Sequence, residues 1–177
     1  FAISLALKAG DIMRQNFRIG MDKEWKEDNS PLTVTDLAIN DLVINEVRKN
    51  FKRHGVLAEE GSYFNNEEFV WVCDPVDGTY PFSHAYPLFT FSLALVKNGS
   101  HVLGLLHDPI LSRLIIAESD KGAYLNDKLI KVSESTSLNR SLVALENNDT
   151  RFCKIRERLA GQGSLVTTFA SITYPSL

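Results

Sequence analysis

The sequence has few of the features that mark secreted or membrane-spanning proteins. Two cysteines in 177 residues are too few for a disulfide framework, and their spacing fits no metal site. Cys73 and Cys153 can form one bridge or remain two reduced thiols, and the second alternative favours a cytoplasmic protein. No apolar run approaches the roughly 20 residues that a transmembrane helix needs. Residues 1–9 lack the basic segment of a signal peptide, so we expect no membrane partner.

An excess of charge of one sign is also missing. The net charge is −3 at pH 7, while 23% of the residues are charged and 44% are hydrophobic. This balance gives no global attraction to a nucleic-acid polymer, and it leaves enough apolar residues for a core of ordinary size. An anionic substrate would therefore need local positive charge, from a metal ion or a helix terminus.

The spacing of apolar residues predicts two N-terminal helices. The first is expected from Ile3 to Phe17 and the second from Val34 to Phe51, since apolar residues recur there at helical intervals. Thr33 and Asp36 resemble a capping box at the start of the second helix. One side of that helix is expected to carry Leu37, Val43, Ile44 and Val47. Residues 21–31 are expected to form an exposed loop or a short ribbon.

The pattern then changes to that of strands. Val70–Cys73 is a short apolar run typical of a buried strand. Asn98-Gly99 between two apolar runs, 89–96 and 102–107, is the strongest local signal for a hairpin. Weaker patterns predict strands at 114–118, 123–125, 128–132 and 141–145, and a helix at 151–159. Two helices followed by an antiparallel meander indicate an α+β or layered αβα protein.

The densest group of chemically active residues is the string Asp-Pro-Val-Asp-Gly-Thr at 74–79. Its two carboxylates, separated by two residues, can converge on one hard cation or bridge two, and the Val76 carbonyl can add a ligand. Gly78 permits a backbone conformation that other residues resist, and a short helix over 79–84 would present N–H groups to a phosphate. Asp-Pro and Asp-Gly alone are turn formers, but the complete string after a buried strand favours a site.

Two further acidic features have structural alternatives. Glu59 and Glu60 close an apolar run and are equally compatible with a solvated strand end. Asp36 lies in the first turn of a predicted helix, where an acid complements the helix dipole and caps backbone donors. Neither feature alone establishes a functional site.

The order and spacing of these three features resemble the inositol monophosphatase family, which comprises magnesium-dependent, often lithium-sensitive phosphatases of small phosphomonoesters. The resemblance covers most of residues 1–135 and, more loosely, 164–174. It implies a layered αβαβα sugar-phosphatase-like fold of the α+β class, whose second αβ layer is incomplete in this chain. Residues 1–135 would form the metal- and phosphate-binding domain, and residues 136–177 would begin a second α/β subdomain.

The resemblance also implies a set of metal ligands for two or three Mg²⁺ ions. Glu59 would ligate the first ion and take part in catalysis. Asp74 would bridge two ions, Val76 would offer its carbonyl oxygen to the first, and Asp77 would ligate the second. Glu60 would support these ligands from the second shell.

By the same resemblance, substrate and attacking water would meet the residues around 79. Gly78 and Thr79 would bind the phosphate through their backbone amides, with Asp77 beside the substrate. The Thr79 hydroxyl and Asp36 would help to activate the water. Lys26 matches the lysine of a mobile loop over the site and is expected in the second shell.

The expected reaction is hydrolysis of a small phosphomonoester, namely inositol monophosphate or a related sugar or nucleotide phosphate. Residues 26–36 look more like the 3′,5′-bisphosphate nucleotidase and histidinol-phosphatase branches, and a non-catalytic metal-binding member is a further alternative. Tyr80-Pro81-Phe82 replaces the Thr-Asn-Phe or Lys-Glu-Phe of many members. A homodimer is compatible with the resemblance.

One family ligand has no counterpart in this sequence. Members carry a further metal-ligating Asp in a Trp-Asp motif well beyond the segment that matches Ala170-Ser171-Ile172, and no tryptophan follows Trp71. A polypeptide ending at Leu177 is therefore expected to bind Mg²⁺ weakly and to show little phosphatase activity, and a longer one that includes the motif is expected to be active.

Overall fold

The structure is a computed structural model and describes residues 1–64, 67–145 and 150–168. Its helices are α1 (Ala2–Asn16), α2 (Val34–Asn50), α3 (Thr79–Ser83) and α4 (Thr150–Gly161). Its strands are β1 (Glu24–Trp25), β2 (Pro31–Leu32), β3 (His54–Ala58), β4 (Phe69–Asp77), β5 (Thr90–Lys97), β6 (Ser100–Asp108), β7 (Arg113–Glu118), β8 (Gly122–Leu125), β9 (Lys128–Ile130), β10 (Leu142–Leu145) and β11 (Leu165–Thr168).

The two N-terminal helices agree with the sequence prediction to within a residue or two. The predicted capping box at the start of α2 is confirmed. The Thr33 hydroxyl oxygen accepts from the Thr35 N–H, and the Asp36 carboxylate accepts from the Thr33 N–H.

Leu37 was expected on one side of α2 with Val43 and Val47, but it is 46% exposed whereas those two side chains are buried. The buried face of α2 instead carries Asp36 and Asn40 beside its apolar residues, which brings polar groups toward the interior.

Seven strands form a mixed sheet in the order β3-β4-β5-β6-β7-β8-β9. The strands from β4 to β9 form the predicted antiparallel meander, whereas β3 pairs with β4 in parallel. Asn98 and Gly99 turn the β5–β6 hairpin with φ of 47° and 80°, and Asn126 and Asp127 turn the β8–β9 hairpin with φ of 45° and 66°. Both turns have the two positive φ values of a type I′ connection.

Helices α1 and α2 pack on one face of this sheet, α1 against β5 and β6 and α2 against β3 and β4. Gly10 permits the close approach of α1, because a Cβ at this position would lie 2.4 Å from the His107 ring. The buried His107 ring in turn donates through Nδ1 to the Ala6 carbonyl at 2.9 Å. His107 is therefore a packing residue.

The segment after the seven-stranded sheet forms a small unit of its own. Strands β10 and β11 pair in parallel as a two-stranded sheet, and α4 packs on β11. The predicted strand at 141–145 and helix at 151–159 are confirmed within a few residues, whereas β11 was not predicted. The domain division at residue 135 stays a prediction. In the described ranges, no helix has the length and apolarity needed to cross a bilayer.

Candidate active site

Asp74 and Asp77 both belong to strand β4 of the seven-stranded sheet. The sequence predicted that the strand ends at Cys73, but β4 continues through Asp77. Its pairing with β5 shifts register between Asp74 and Asp77. This span contains Pro75, which has no N–H to donate to the ladder. In a regular strand, residues three apart point to opposite faces, and one extra residue at a bulge returns them to the same side. The bulge therefore brings both carboxylates to one side of the strand.

Gly78 turns the chain from β4 into α3. Its φ of 94° lies in the left-handed region, where glycine has no steric penalty. The turn directs the Thr79 hydroxyl to two acceptors, with Oγ1 3.1 Å from Asp36 Oδ1 and 2.8 Å from the Val76 carbonyl oxygen. A hydroxyl has one proton, so Thr79 donates to one of these oxygens at a time. The predicted pair of Thr79 and Asp36 is thus in contact.

Asp36 is held in place by the start of α2. Its Oδ2 accepts from the Thr33 N–H at 2.8 Å and from the Thr33 hydroxyl at 2.5 Å, and the residue is 1% exposed. Burial raises the pKa of Asp36, and the negative charge of Glu60 adds to this effect, although the Thr33 and Thr79 donors oppose it. The helix-capping role and the site role proposed for Asp36 therefore coexist in one side chain.

Asp74 is the least compensated acidic group of the site. Its Oδ1 is buried and has no hydrogen-bond partner among the described residues. Burial, together with the negative charges of Asp77, Glu59 and Asp36, raises the pKa of Asp74 to about 7, although a hydrogen bond with the Val76 backbone opposes the rise. A buried carboxylate that faces like charges is costly unless positive charge compensates it. The surroundings of Asp74 therefore favour a cation.

Lys26, directly after β1, contacts two acidic residues of the site. The Lys26 ammonium donates to Glu59 Oε1 at 2.7 Å and to Glu60 Oε1 at 2.5 Å. Partial burial by itself lowers the pKa of Lys26, but the hydrogen bonds and charges of the two glutamates outweigh burial and raise it. Lys26 thus contacts a predicted metal ligand directly, which the sequence did not indicate.

The donor set fits a hard divalent cation. In residues 1–64, 67–145 and 150–168, no three carboxylate, imidazole or thiolate groups lie close enough to form a ready-made metal cage. The buried Asp74 Oδ1 nevertheless lacks a partner in the described residues, and its carboxylate lies near enough to Asp77, Glu59 and Asp36 to feel their charges. Carboxylate oxygens are the ligands that Mg²⁺ prefers. A cation at this position would offset the burial penalty of Asp74.

One polar residue beside the site was missed. Asn40 is 4% exposed, and its Oδ1 has no partner in the described part of the chain. Asn40 follows Asp36 by four residues on α2, a spacing that places both side chains on one face of the helix. This spacing was the sequence pattern that could have indicated Asn40 as a neighbour of the site. The expected sugar-contacting segment, Ala170-Ser171-Ile172, lies outside the described residues.

This combination of a layered α/β fold and a carboxylate cluster beside a glycine turn defines the class of the protein. The model of the "Inositol monophosphatase family" matches residues 1–165, and the chain belongs to that family. It is 36% identical over 155 residues to "Inositol monophosphatase 1" of Solanum lycopersicum, covering 85% of this chain and 57% of the relative.

Two comparisons with Thermotoga maritima, one of sequence and one of structure, extend this result. "Fructose-1,6-bisphosphatase/inositol-1-monophosphatase" is 35% identical over 139 residues, which cover 78% of this chain and 54% of that protein. The solved structure of an IMPase from this organism matches with a TM-score of 0.89 and 32% identity, over 97% of this chain and 67% of that one. The chain thus spans about half the length of the curated relatives it matches, and the layered sugar-phosphatase-like fold is shared.

Proposed function

We propose that the protein is a magnesium-dependent phosphatase of small phosphomonoesters, with inositol monophosphate or a related sugar or nucleotide phosphate as substrate. The observation that carries this proposal is the buried, unpartnered Oδ1 of Asp74 among three other acids, one turn before a glycine-started helix. Membership of the inositol monophosphatase family supports the same reaction. A cytoplasmic location and a homodimer stay predictions.

The residues that would hold Mg²⁺ are Glu59, Asp74 and Asp77 through their carboxylates and Val76 through its carbonyl oxygen. Bound Mg²⁺ supplies positive charge for the phosphoryl oxygens and lowers the pKa of water. Val76 has a second lone pair for this purpose, since its carbonyl oxygen accepts at most one bond from Thr79. Lys26 would release Glu59 in part, because its ammonium and a metal ion compete for the same carboxylate.

The chain's own groups then orient the water and the phosphate. When the Thr79 hydroxyl donates its hydrogen bond to Asp36 Oδ1, its oxygen keeps lone pairs that can accept a hydrogen bond from the attacking water. Asp36 stays aligned because both Thr33 donors hold its other oxygen. The backbone of Gly78 and Thr79 at the start of α3 is proposed to hold the phosphate. Catalysis by this arrangement is positioning combined with electrostatic stabilisation.

The test is release of inorganic phosphate by the product of the complete gene, because the chain spans about half of its curated relatives. Inositol 1-phosphate and adenosine 3′,5′-bisphosphate would be compared with Mg²⁺ and with a chelator. We expect Mg²⁺-dependent turnover that Asp74→Asn removes. Asp11→Asn is the matched control, since Asp11 forms an exposed surface pair with Arg14. Equal rates with and without Mg²⁺ would reject the proposal.

A further inference from the structure

A group of aromatic and basic side chains adjoins the candidate active site but has no part in the proposed chemistry. It consists of Lys23 and Trp25 on the β1 side and of Tyr80 and His84 on α3, and is called here the aromatic cluster. The Trp25 and Tyr80 rings are 6.5 Å apart at an angle of 58°, and they are 55% and 54% exposed. Two large neighbouring rings, tilted relative to each other and each more than half exposed, leave aromatic surface open to a ligand.

We propose that Trp25 and Tyr80 form a subsite that stacks a flat, unsaturated ring in the organic part of the substrate, such as the base of a nucleotide. The inference deepens the proposed function and rests on it only for the position of the phosphate. Under this inference, Trp25 and Tyr80, which lie outside the carboxylate cluster, determine which phosphomonoester the site prefers.

The cluster is preorganised by a chain of hydrogen bonds. His84 Nδ1 lies 2.8 Å from the Tyr80 carbonyl oxygen, which can only accept, so Nδ1 carries the proton. His84 Nε2 therefore accepts from the Lys23 ammonium at 2.9 Å. The His84 ring also stacks on Tyr80, with centroids 4.6 Å apart and 24° between planes. Because the Tyr80 ring is fixed on one side, little conformational entropy is lost when a ligand stacks on it.

The position of the cluster relative to the carboxylates follows from the chain itself. Tyr80 directly follows Thr79, whose hydroxyl contacts Asp36. Trp25 directly precedes Lys26, whose ammonium contacts Glu59 and Glu60. Each ring thus belongs to a residue next to one that contacts the acidic side chains, and the proposal places the organic part of an ester held at the carboxylates against these rings.

The chemistry of the rings favours a flat unsaturated ligand over a polyol. Ring faces gain most from another π system in offset stacking, and a stacked base contributes about 1–3 kcal/mol in protein–nucleic acid complexes. Lys23 lies over Trp25, with Nζ 5.5 Å from the ring centroid, which places a cation at the edge of the subsite. A polyol has no π face and would gain little from these rings.

Tryptophan fluorescence provides a test that does not depend on catalysis. The two tryptophans differ sharply, since Trp71 is 4% exposed and Trp25 is 55% exposed. We expect adenosine, which carries no phosphate, to quench Trp25 saturably, and myo-inositol to leave the emission unchanged. Trp25→Phe should remove the quenching, because Trp71, the other tryptophan of this sequence, is shielded in the core.

Substitutions at Tyr80 separate stacking from a general structural effect. Tyr80→Ala should weaken adenosine binding about tenfold, the loss of one stacking contact, and Tyr80→Phe should retain it. The matched control is Tyr86→Ala, since Tyr86 is 63% exposed and belongs to the loop after α3. Equal quenching in Tyr80→Ala and the unsubstituted protein, or no saturable quenching at all, would overturn the inference.

Three further outcomes are informative. Trp25 emission that shifts with protein concentration and not with adenosine would assign the rings to contact between copies and would overturn the inference. Phosphate release from inositol 1-phosphate without adenosine quenching would reject this inference alone. Saturable, Tyr80-dependent quenching without any phosphatase activity would support the subsite and reject the proposed function.

Discussion

Asp74 on β4 and Asp108 on β6 belong to the same sheet but have opposite surroundings. Asp108, at the end of β6, is fully buried, and its Oδ2 binds the Arg113 guanidinium at 2.8 and 3.2 Å. Its Oδ1 accepts from the backbone N–H groups of Ile110 and Leu111 at 2.8 and 3.0 Å. Asp74, near the end of β4, has a buried oxygen without a partner and three acids around it.

The difference separates a structural carboxylate from a functional one. A buried charge that is paired and fully hydrogen-bonded stabilises its surroundings, whereas an uncompensated one costs free energy. At Asp74 the cost of burying the carboxylate is not offset by a partner of Oδ1 in the described residues. Groups with perturbed pKa values of this kind concentrate at functional sites. The same residue type thus fixes a turn at one strand end and prepares a cation site at another.

The largest expected effect is the loss of activity in Asp74→Asn. The variant keeps the shape of the side chain but removes a charge proposed to hold Mg²⁺, so phosphate release should fall about 10³-fold, equivalent to about 4 kcal/mol. Steady-state kinetics of the complete gene product measures it, with Asp11→Asn as the control. A decrease in the rate of phosphate release of less than about threefold would contradict the functional role proposed for Asp74 and hence its distinction from Asp108.

The counterpart substitution, Asp108→Ala, should act on stability. It leaves Arg113 and two backbone donors without their carboxylate, so the free energy of unfolding should fall by about 3 kcal/mol. Urea unfolding followed by circular dichroism measures the change. An unaffected unfolding midpoint would show that complete hydrogen bonding does not identify a structural carboxylate here.

The pH dependence of stability should reveal the cost at Asp74. The pKa of this carboxyl rises from an ordinary 3.8 to about 7 on folding, so the folded state binds more protons than the unfolded state between these values. Stability therefore falls as pH rises from about 4 to about 7. With a chelator present, Asp74→Asn should not lose stability in this way. Its free energy of unfolding at pH 7.5 should exceed that of the unsubstituted protein by about 2 kcal/mol, a figure reduced for the partial exposure of Asp74.

Thermal unfolding at pH 4 and pH 7.5 checks this prediction. The two proteins should have similar stability at the lower pH, where the carboxyl is protonated in both states, and should differ at the higher one. A constant difference across this range would contradict the assigned burial cost.

The smallest expected effect concerns Lys26. Its ammonium binds Glu59 and Glu60, so Lys26→Met should free Glu59 and raise Mg²⁺ affinity about fivefold, the scale of a partly exposed ion pair. Lys121→Met is the matched control, because Lys121 pairs with Glu118 on the surface. Weaker Mg²⁺ binding in Lys26→Met would show that the lysine supports the ligands and does not compete for them.

Local sequence signals predicted the elements whose causes are local. The capping residues and helical spacing located α1 and α2, and Asn98-Gly99 located the β5–β6 hairpin. The parallel pairing of β3 with β4 was not predicted, because it joins segments that no short turn connects. The extension of β4 through Pro75 was also missed, since proline usually indicates the end of a strand and here lies at a bulge.

The candidate site shows the same division. The carboxylates at 36, 59, 74 and 77 were identified from residue types and family resemblance, and their assigned roles stay predictions. The contact of Lys26 with Glu59, the unpartnered oxygen of Asp74 and the exposure of Trp25 depend on how distant segments pack. No sequence spacing encodes these relations, so they required the structure.

Calorimetric titration of Mg²⁺ tests the central claim most directly. In the complete gene product at pH 7.5, we predict saturable binding that Asp74→Asn weakens by about tenfold or more and that Asp11→Asn leaves unchanged. Undetectable binding, or equal affinity in the unsubstituted protein and Asp74→Asn, would contradict the claim that the carboxylates around Asp74 hold a divalent cation.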